Sequence, residues 1–311
     1  MSGAVSVGGF DGLHLGHRKI LERMLARARA DHGPGVVVSF DPHPDLVLSK
    51  SFQALPPLTP LPEKRERLAA MGVASLDVLP FTRELAAMSP EAFVEQCLVR
   101  PYAPRALVVG VNFALGKGRA GDVPRLRQIG AAHGFDVEPV PLLDVEGAPV
   151  TSTRIRERLG AGDVAAAARL LGRRYTLEAI VVAGEGVGRT LGFPTANLRL
   201  LDEKLVPANG IYAVEARIEG GAPLAGAMSI GVRPTFGGRE RTLEVHVLDW
   251  SGDLVGRRVE VAFEAWLREE RRFDNAAALS AAIADDVAEV RRILGARAET
   301  PSAGDGPSGM G

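Results

Sequence analysis

Apolar positions in the first half of the chain alternate between two textures. Short β-type runs occupy residues 5–7, 36–40, 76–81, 106–110 and 137–140. Between them the spacing is helical. After the first run, Ile20, Leu21, Met24, Leu25 and Ala28 recur with Arg and Glu between them, and further helical patterns cover 62–71, 89–99 and 123–133. The helix predicted over 89–99 opens with Ser89-Pro90-Glu91, an N-cap, a proline at the first helical position and an early acid. The one over 123–133 follows Asp122 and stops before Gly134, a C-cap glycine. Strands alternating with helices predict an α/β domain with a parallel, doubly wound sheet, whose ligands sit beyond the C-terminal strand ends.

The second half changes texture. Asp163 caps an alanine-rich helix that runs through Leu171 and ends at Gly172, so residues 159–174 read as a helical linker. From Tyr175, β-runs at 176–183, 210–219, 224–230, 243–249 and 258–266 follow one another across glycine or proline turns, which predicts an antiparallel barrel or sandwich. A last amphipathic helix carries Leu279, Ile283, Val287, Val290 and Leu294 on one face. The expected division is 1–158, linker 159–174, 175–297, and a Gly/Ser/Pro-rich, disordered tail at 298–311.

Composition narrows the function classes. At 311 residues the chain is long enough for two cores, and its net charge of −1 argues against a nucleic-acid or anionic-membrane partner. One cysteine, Cys97, excludes an internal disulfide framework and fits a reducing compartment. No apolar run spans a bilayer and no secretory leader is visible, so the expectation is a cytoplasmic protein.

Candidate chemistry falls at the strand ends. The first strand runs into Gly8-Gly9-Phe10-Asp11-Gly12-Leu13-His14-Leu15-Gly16-His17. A strand, a glycine turn and a helix N-terminus make an anion site, because backbone N–H groups point outward and glycine lets a phosphate approach the main chain. His14 and His17 add donors that can follow charge developing on a phosphorus oxygen. After the second strand, Asp41-Pro42-His43-Pro44 holds an imidazole between two prolines, which in isolation fits a rigid surface turn equally well. After the fourth strand, Val109–Asp122 looks like a Walker A loop but fails it: one residue too many precedes Gly116-Lys117, and no Ser or Thr follows the lysine. At 151–156, Thr151-Ser152-Thr153-Arg154-Ile155-Arg156 sets hydroxyls and arginines at a helix start, an N-cap that can also bind polyphosphate.

In the second half, Gly184-Glu185-Gly186-Val187-Gly188-Arg189-Thr190-Leu191-Gly192-Phe193-Pro194-Thr195-Ala196-Asn197 leaves a strand through glycines that can form an N–H nest. Thr195 and Asn197 project the same way if extended and offer hard neutral oxygens, suited to Mg²⁺ that substrate phosphates also hold. Along 243–249, Leu243, Val245 and Val247 share one face while Glu244 and His246 share the other, where a glutamate is ordinarily solvated.

The first of these stretches resembles the HxGH signature of the nucleotidylyltransferase superfamily, and its surroundings are similar to those of the prokaryotic bifunctional riboflavin kinase/FAD synthetase family. The likeness runs from about Val5 to about Leu294. It implies a Rossmann-like nucleotidylyltransferase domain followed by a riboflavin kinase barrel. Riboflavin would be phosphorylated by ATP to FMN, and FMN adenylylated to FAD with release of pyrophosphate. His14 and His17 would serve the transferring phosphate, with Gly8, Gly9, Phe10 and Asp11 forming the turn around it.

His43 would border the flavin and nucleotide. Asn112 matches the VG-x-(D/N)-F block at a position that is often Asp, and Ala114 stands where many members carry a larger or basic residue. Ser152, Thr153 and Arg154 match SSTxIR, which replaces the KMSKS lysines of other HxGH enzymes and argues against an aminoacyl-tRNA synthetase. In the GRTLGFPTAN block, Gly184, Gly186, Gly188, Arg189 and Thr190 would meet the nucleotide, and Thr195 and Asn197 would bind Mg²⁺ with ATP. Glu244 in E-V-H-x-x-D would be the catalytic glutamate. Arg233, Arg268 and Phe273 would lie in loops around the flavin and nucleotide.

The implied partners are riboflavin, FMN and ATP, with a homo-oligomer left open. Two rival readings also stand at this point. One is another HxGH transferase, acting on pantetheine phosphate or a lipid head group, with the barrel as a binding module. The other is a non-catalytic flavin- or nucleotide-binding regulator.

Overall fold

The strand–helix alternation of the first half forms a five-stranded parallel sheet: β1 Ala4–Val7, β2 Gly35–Asp41, β3 Ser75–Pro80, β4 Ala106–Gly110 and β5 Asp136–Val140. Their order is β3-β2-β1-β4-β5, so the winding reverses between β1 and β4. That reversal opens the crevice in which such sheets bind ligands. This computed structural model describes residues 3–48, 56–184, 188, 192–235 and 238–298; side chains at 45–46, 233–235, 238–240 and 296–298 are outside it. The chain divides into two units, 1–155 with 170–172 and 156–169 with 173–311.

Successive strand residues feed opposite faces of the sheet. Ala4, Val37, Leu76, Ala106 and Val108 pack on one side with Leu21, Met24, Leu25 and Ala28 of helix α1 (Leu15–Ala30). Val5, Val7, Val36, Val38, Leu107 and Val109 pack on the other with Phe93, Leu98, Leu126 and Ile129. Burying each of the valine, leucine, isoleucine, methionine and phenylalanine side chains among these is worth about 1.5–3 kcal/mol, so both faces of the sheet are firmly covered. Helix α2 is Leu61–Ala70, and helix α3 is Val123–His133, capped by Asp122 through Arg125 N at 2.9 Å and closed by Gly134 at φ +75°.

The helix predicted over 89–99 is not continuous. Ser89 caps Pro90–Phe93 as expected, but Val94–Val99 widens into a π-helical turn before a short piece at Arg100–Tyr102. Pro101 explains the break. It has no N–H to give Cys97 and its ring crowds that carbonyl, so the ladder opens by one residue and Arg100 N reaches Glu95 O instead. Cys97 packs half-buried in this turn against the core, and burial pushes its thiol up, away from reactivity.

Helix α4 (Ser152–Gly160) is followed by α5 (Val164–Leu171), which Asp163 caps through Ala166 N at 2.9 Å. The barrel strands are β6 Thr176–Val182, β7 Ala196–Leu200, β8 Gly210–Ile218, β9 Leu224–Thr235, β10 Gly238–Val247 and β11 Arg258–Arg268. They close antiparallel in the order β6-β7-β10-β9-β8-β11. Strand β7 was not among those predicted. It is five residues long and follows Phe193-Pro194-Thr195.

Tyr175, Tyr212 and Phe263 fill the barrel interior, with the last two edge to face at 5.2 Å. Helix α6 (Ala276–Ala298) lays Val287, Val290 and Leu294 on Ala213 and Leu248. The expected tail beyond Ala298 lies outside the described residues. Among the described residues no helix is long and apolar enough to cross a membrane.

Candidate active sites

The first unit holds a cavity of about 600 Å³ at the C-terminal ends of its strands, lined by Gly8, Gly9, Phe10 and His17 from the first turn, by Phe40 at the end of β2 and His43 just after it, and by Asn112 and Arg119 after β4. Phe81, Phe93 and Phe113 give it an apolar wall suited to a flat ring system. The two histidines are organised by the start of α1. His14 is its N-cap, accepting at Nδ1 from His17 N at 3.2 Å, and the two imidazoles stack with centroids 3.6 Å apart. Burial, then the neighbouring His14 and Lys64, hold the His17 imidazole well below its ordinary pKa of 6.5, so it is neutral at pH 7. Its Nδ1 is buried without a protein hydrogen-bond partner, an atom prepared for a ligand.

Lys64 was missed in the sequence. Only 8 % exposed, it donates Nζ to Gly9 O at 2.7 Å, and Ser39 Oγ donates to the same carbonyl at 3.3 Å. Burial pushes its ammonium pKa down, opposed by the carboxylates of Asp11 and Asp41. The available signal was its helical spacing with Leu61 and Leu68, which sets it on the buried face of α2.

Other expected residues take more local partners. Asp11 accepts at Oδ1 from Leu58 N at 2.9 Å and Thr59 N at 3.1 Å, so its carboxylate anchors the start of the segment leading into α2. Ser152 Oγ donates to Asp11 O at 2.8 Å, joining the N-terminus of α4 to the turn. Thr153 is exposed. Residues Asp144–Val145 and Ala148–Pro149 pair as a short hairpin, and Arg154 donates Nη1 to its Val145 O and Ala148 O, each at 2.9 Å, and lies 3.5 Å from Glu146 at its turn. His43 sits over Gly9, where a Cβ would come within 3.0 Å of its Nε2, which gives that glycine a packing reason.

The barrel site gathers around β7 and β10. Thr195 Oγ1 donates to Glu244 Oε2 at 3.1 Å, and Asn197 pairs with Glu244 across the two strands. Their carboxylate, hydroxyl and carboxamide therefore share one patch of the barrel. A Cβ at Gly184 would collide with the Asn197 carboxamide, so only glycine admits it there. Gly188 lies against Thr195 less tightly: a Cβ would lie 3.2 Å from Oγ1. A cavity of about 590 Å³ beside this patch is lined by Val182, Gly184, Thr195, Asn197 and Trp250. Among the described residues no cluster of three or more His, Cys, Asp or Glu could hold a metal. The oxygens of Thr195 and Asn197 beside Glu244 do fit a hard cation such as Mg²⁺, which takes few protein ligands when phosphates complete its shell.

Arg268 forks onto buried Asp286 of α6 at 2.8 and 2.7 Å, and both Arg268 and Arg271 lie over the Phe273 ring. Its guanidinium thus fastens α6 to the barrel. Arg233 lies on β9 opposite Glu240, but its side chain is outside the described residues. Gly186, Arg189 and Thr190 also lie outside them.

Comparison with known proteins bears on both units. A family model described as FAD synthetase matches residues 2–154, and one described as riboflavin kinase matches residues 171–294. The bifunctional riboflavin kinase/FMN adenylyltransferase of Escherichia coli K12 is 38% identical over 94% of this chain and 92% of its own. The protein of that description from Bacillus subtilis is 32% identical over 93% and 92%. A crystal structure from Streptococcus pneumoniae, described as a macrolide-efflux protein, superposes with TM-score 0.87 at 29% identity, over 93% of this chain and 94% of its own.

Proposed function

The chain belongs to the family of bifunctional riboflavin kinase/FMN adenylyltransferases, and we propose that the two cavities described above are the seats of its two reactions. Riboflavin is phosphorylated to FMN, and FMN is adenylylated to FAD. In the barrel, an alcohol must lose its proton as it attacks the γ-phosphorus of ATP. Glu244 takes the proton from the ribityl hydroxyl, and the Thr195 hydroxyl holds that carboxylate in orientation. Thr195 and Asn197 are the residues that would hold Mg²⁺, which supplies charge neutralisation on the phosphates.

In the first unit the nucleophile is the FMN phosphate, already an anion, so no base is required. Catalysis there is positioning and stabilisation of charge at the α-phosphorus and the departing pyrophosphate. The Gly8-Gly9 turn cradles the nucleotide, and His14 and His17 meet the transferring phosphate. Asn112 and His43 border the flavin and nucleotide. Ser152 and Thr153 face the pyrophosphate, with Arg154 supporting them and steadying its hairpin. The single cysteine supports a cytoplasmic setting for both reactions.

The observation that carries the reading is the Glu244–Thr195 contact of 3.1 Å opposite Asn197. The test is a time course with riboflavin, ATP and Mg²⁺, products separated by chromatography. FMN followed by FAD is expected, and no FMN would reject the barrel assignment.

A further inference from the structure

We propose that Lys64 is a positioning residue of the adenylyl-transfer site, gripping the Gly9 carbonyl from behind so that the glycine turn presents its N–H side to the nucleotide phosphates. The inference deepens the assignment of the first cavity and rests on it. Three observations carry it. Lys64 is buried, and charged side chains are kept inside a fold only when a specific partner holds them. The partner here is not a side-chain carboxylate but one backbone oxygen, Gly9 O at 2.7 Å, which Ser39 Oγ also meets at 3.3 Å. Gly9 and Phe10 both line the cavity, while Lys64 approaches their shared peptide from the interior.

A trans peptide is planar, and its C=O and N–H point in opposite directions. Two donors drawing Gly9 O inward therefore turn the Phe10 N–H away from Lys64. Glycine at position 9 would otherwise rotate easily, since it lacks the Cβ that restricts φ and ψ. The lysine supplies the constraint that the glycine leaves out. It also sets a positive charge behind the peptide that faces the phosphates, where low polarisability makes the charge count. Asp11 and Asp41 face the ammonium and favour its charged form, and the same charge disfavours protonation of His17, whose other charged neighbour is His14.

The experiment compares Lys64→Met with wild type in the full chain, measuring FMN adenylylation and riboflavin phosphorylation on one preparation. We expect kcat for adenylylation to fall about 10²-fold, the loss typical of a misplaced anion-binding donor, with KM for ATP changed far less. Kinase turnover should be unaltered. The acid limb of the adenylylation pH profile should move to higher pH, because His17 loses a cationic neighbour; the fall in kcat without a matching change in KM, and its rescue by arginine, are what a merely structural lysine would not give.

Lys64→Arg, which keeps cation and donor, should restore most of the rate. If Lys64→Met fails to fold, Lys64→Gln, which drops the charge and keeps a donor, takes the same readouts. Adenylylation within threefold of wild type would overturn the inference, whatever the acid limb does. His17→Ala run in parallel separates the two claims. If that variant still makes FAD, the site assignment itself is wrong. If it does not, while Lys64→Met does, only the role of Lys64 falls.

Discussion

The candidate sites of the two units differ most in the ionisable groups gathered at them. At the glycine turn of the first unit stand two stacked imidazoles, one held neutral, with a buried ammonium behind them. The nearby carboxylate of Asp11 is committed to backbone N–H groups. In the barrel a carboxylate on β10, a carboxamide on β7 and a hydroxyl just before β7 lie together. On the assignment proposed above, the contrast suits the two nucleophiles. An alcohol needs a base, whereas a phosphate needs only donors and positive charge, and a carboxylate beside it would repel it.

The comparison can be broken from either side. The largest expected effect is His17→Ala, which should lower FAD formation by about 10³-fold or more while FMN accumulates at the normal rate in the same assay. Next is Glu244→Gln, expected to slow riboflavin phosphorylation by about 10²–10⁴-fold and to leave adenylylation of supplied FMN intact. Near-normal kinase turnover in that variant would remove the base from the account.

A smaller effect concerns pH. The pKa of His17 lies below its ordinary value of 6.5, so the folded state binds fewer protons there than the unfolded state. Stability of the first unit is therefore fully present above pH 6.5 and is lost as pH falls through the lowered folded value. Thermal melts across that range should show the decline, and His17→Asn should flatten it. Smallest in catalytic terms, Arg268→Ala should destabilise the barrel by about 2 kcal/mol, since it leaves Asp286 buried without its fork. Calorimetry would register this, with adenylyl transfer unchanged.

Much of this was legible in the chain. The four later sheet strands and the α3 caps follow from period and capping residues, which act locally, and Thr195, Asn197 and Glu244 meet as the motifs implied. What escaped depends on contacts across long separations. Strand β7 is hidden behind Phe193-Pro194, and the π-turn arises from a proline whose effect is felt four residues upstream. The spacing of Lys64 with Leu61 and Leu68 marks a buried helix face, but its partner, the Gly9 carbonyl 55 positions away, is not visible from the sequence. The local partners of Arg154 and Arg268, a hairpin and a helix of their own units, were likewise not visible in residue type.

The central claim is that two independent sites act in sequence, and mixing the two inactive variants tests it most directly. With riboflavin, ATP and Mg²⁺, His17→Ala alone should stop at FMN, and Glu244→Gln alone should make almost nothing. Together they should yield FAD, because FMN released by the first is consumed by the second. FAD from His17→Ala alone, or none from the mixture, would contradict the account.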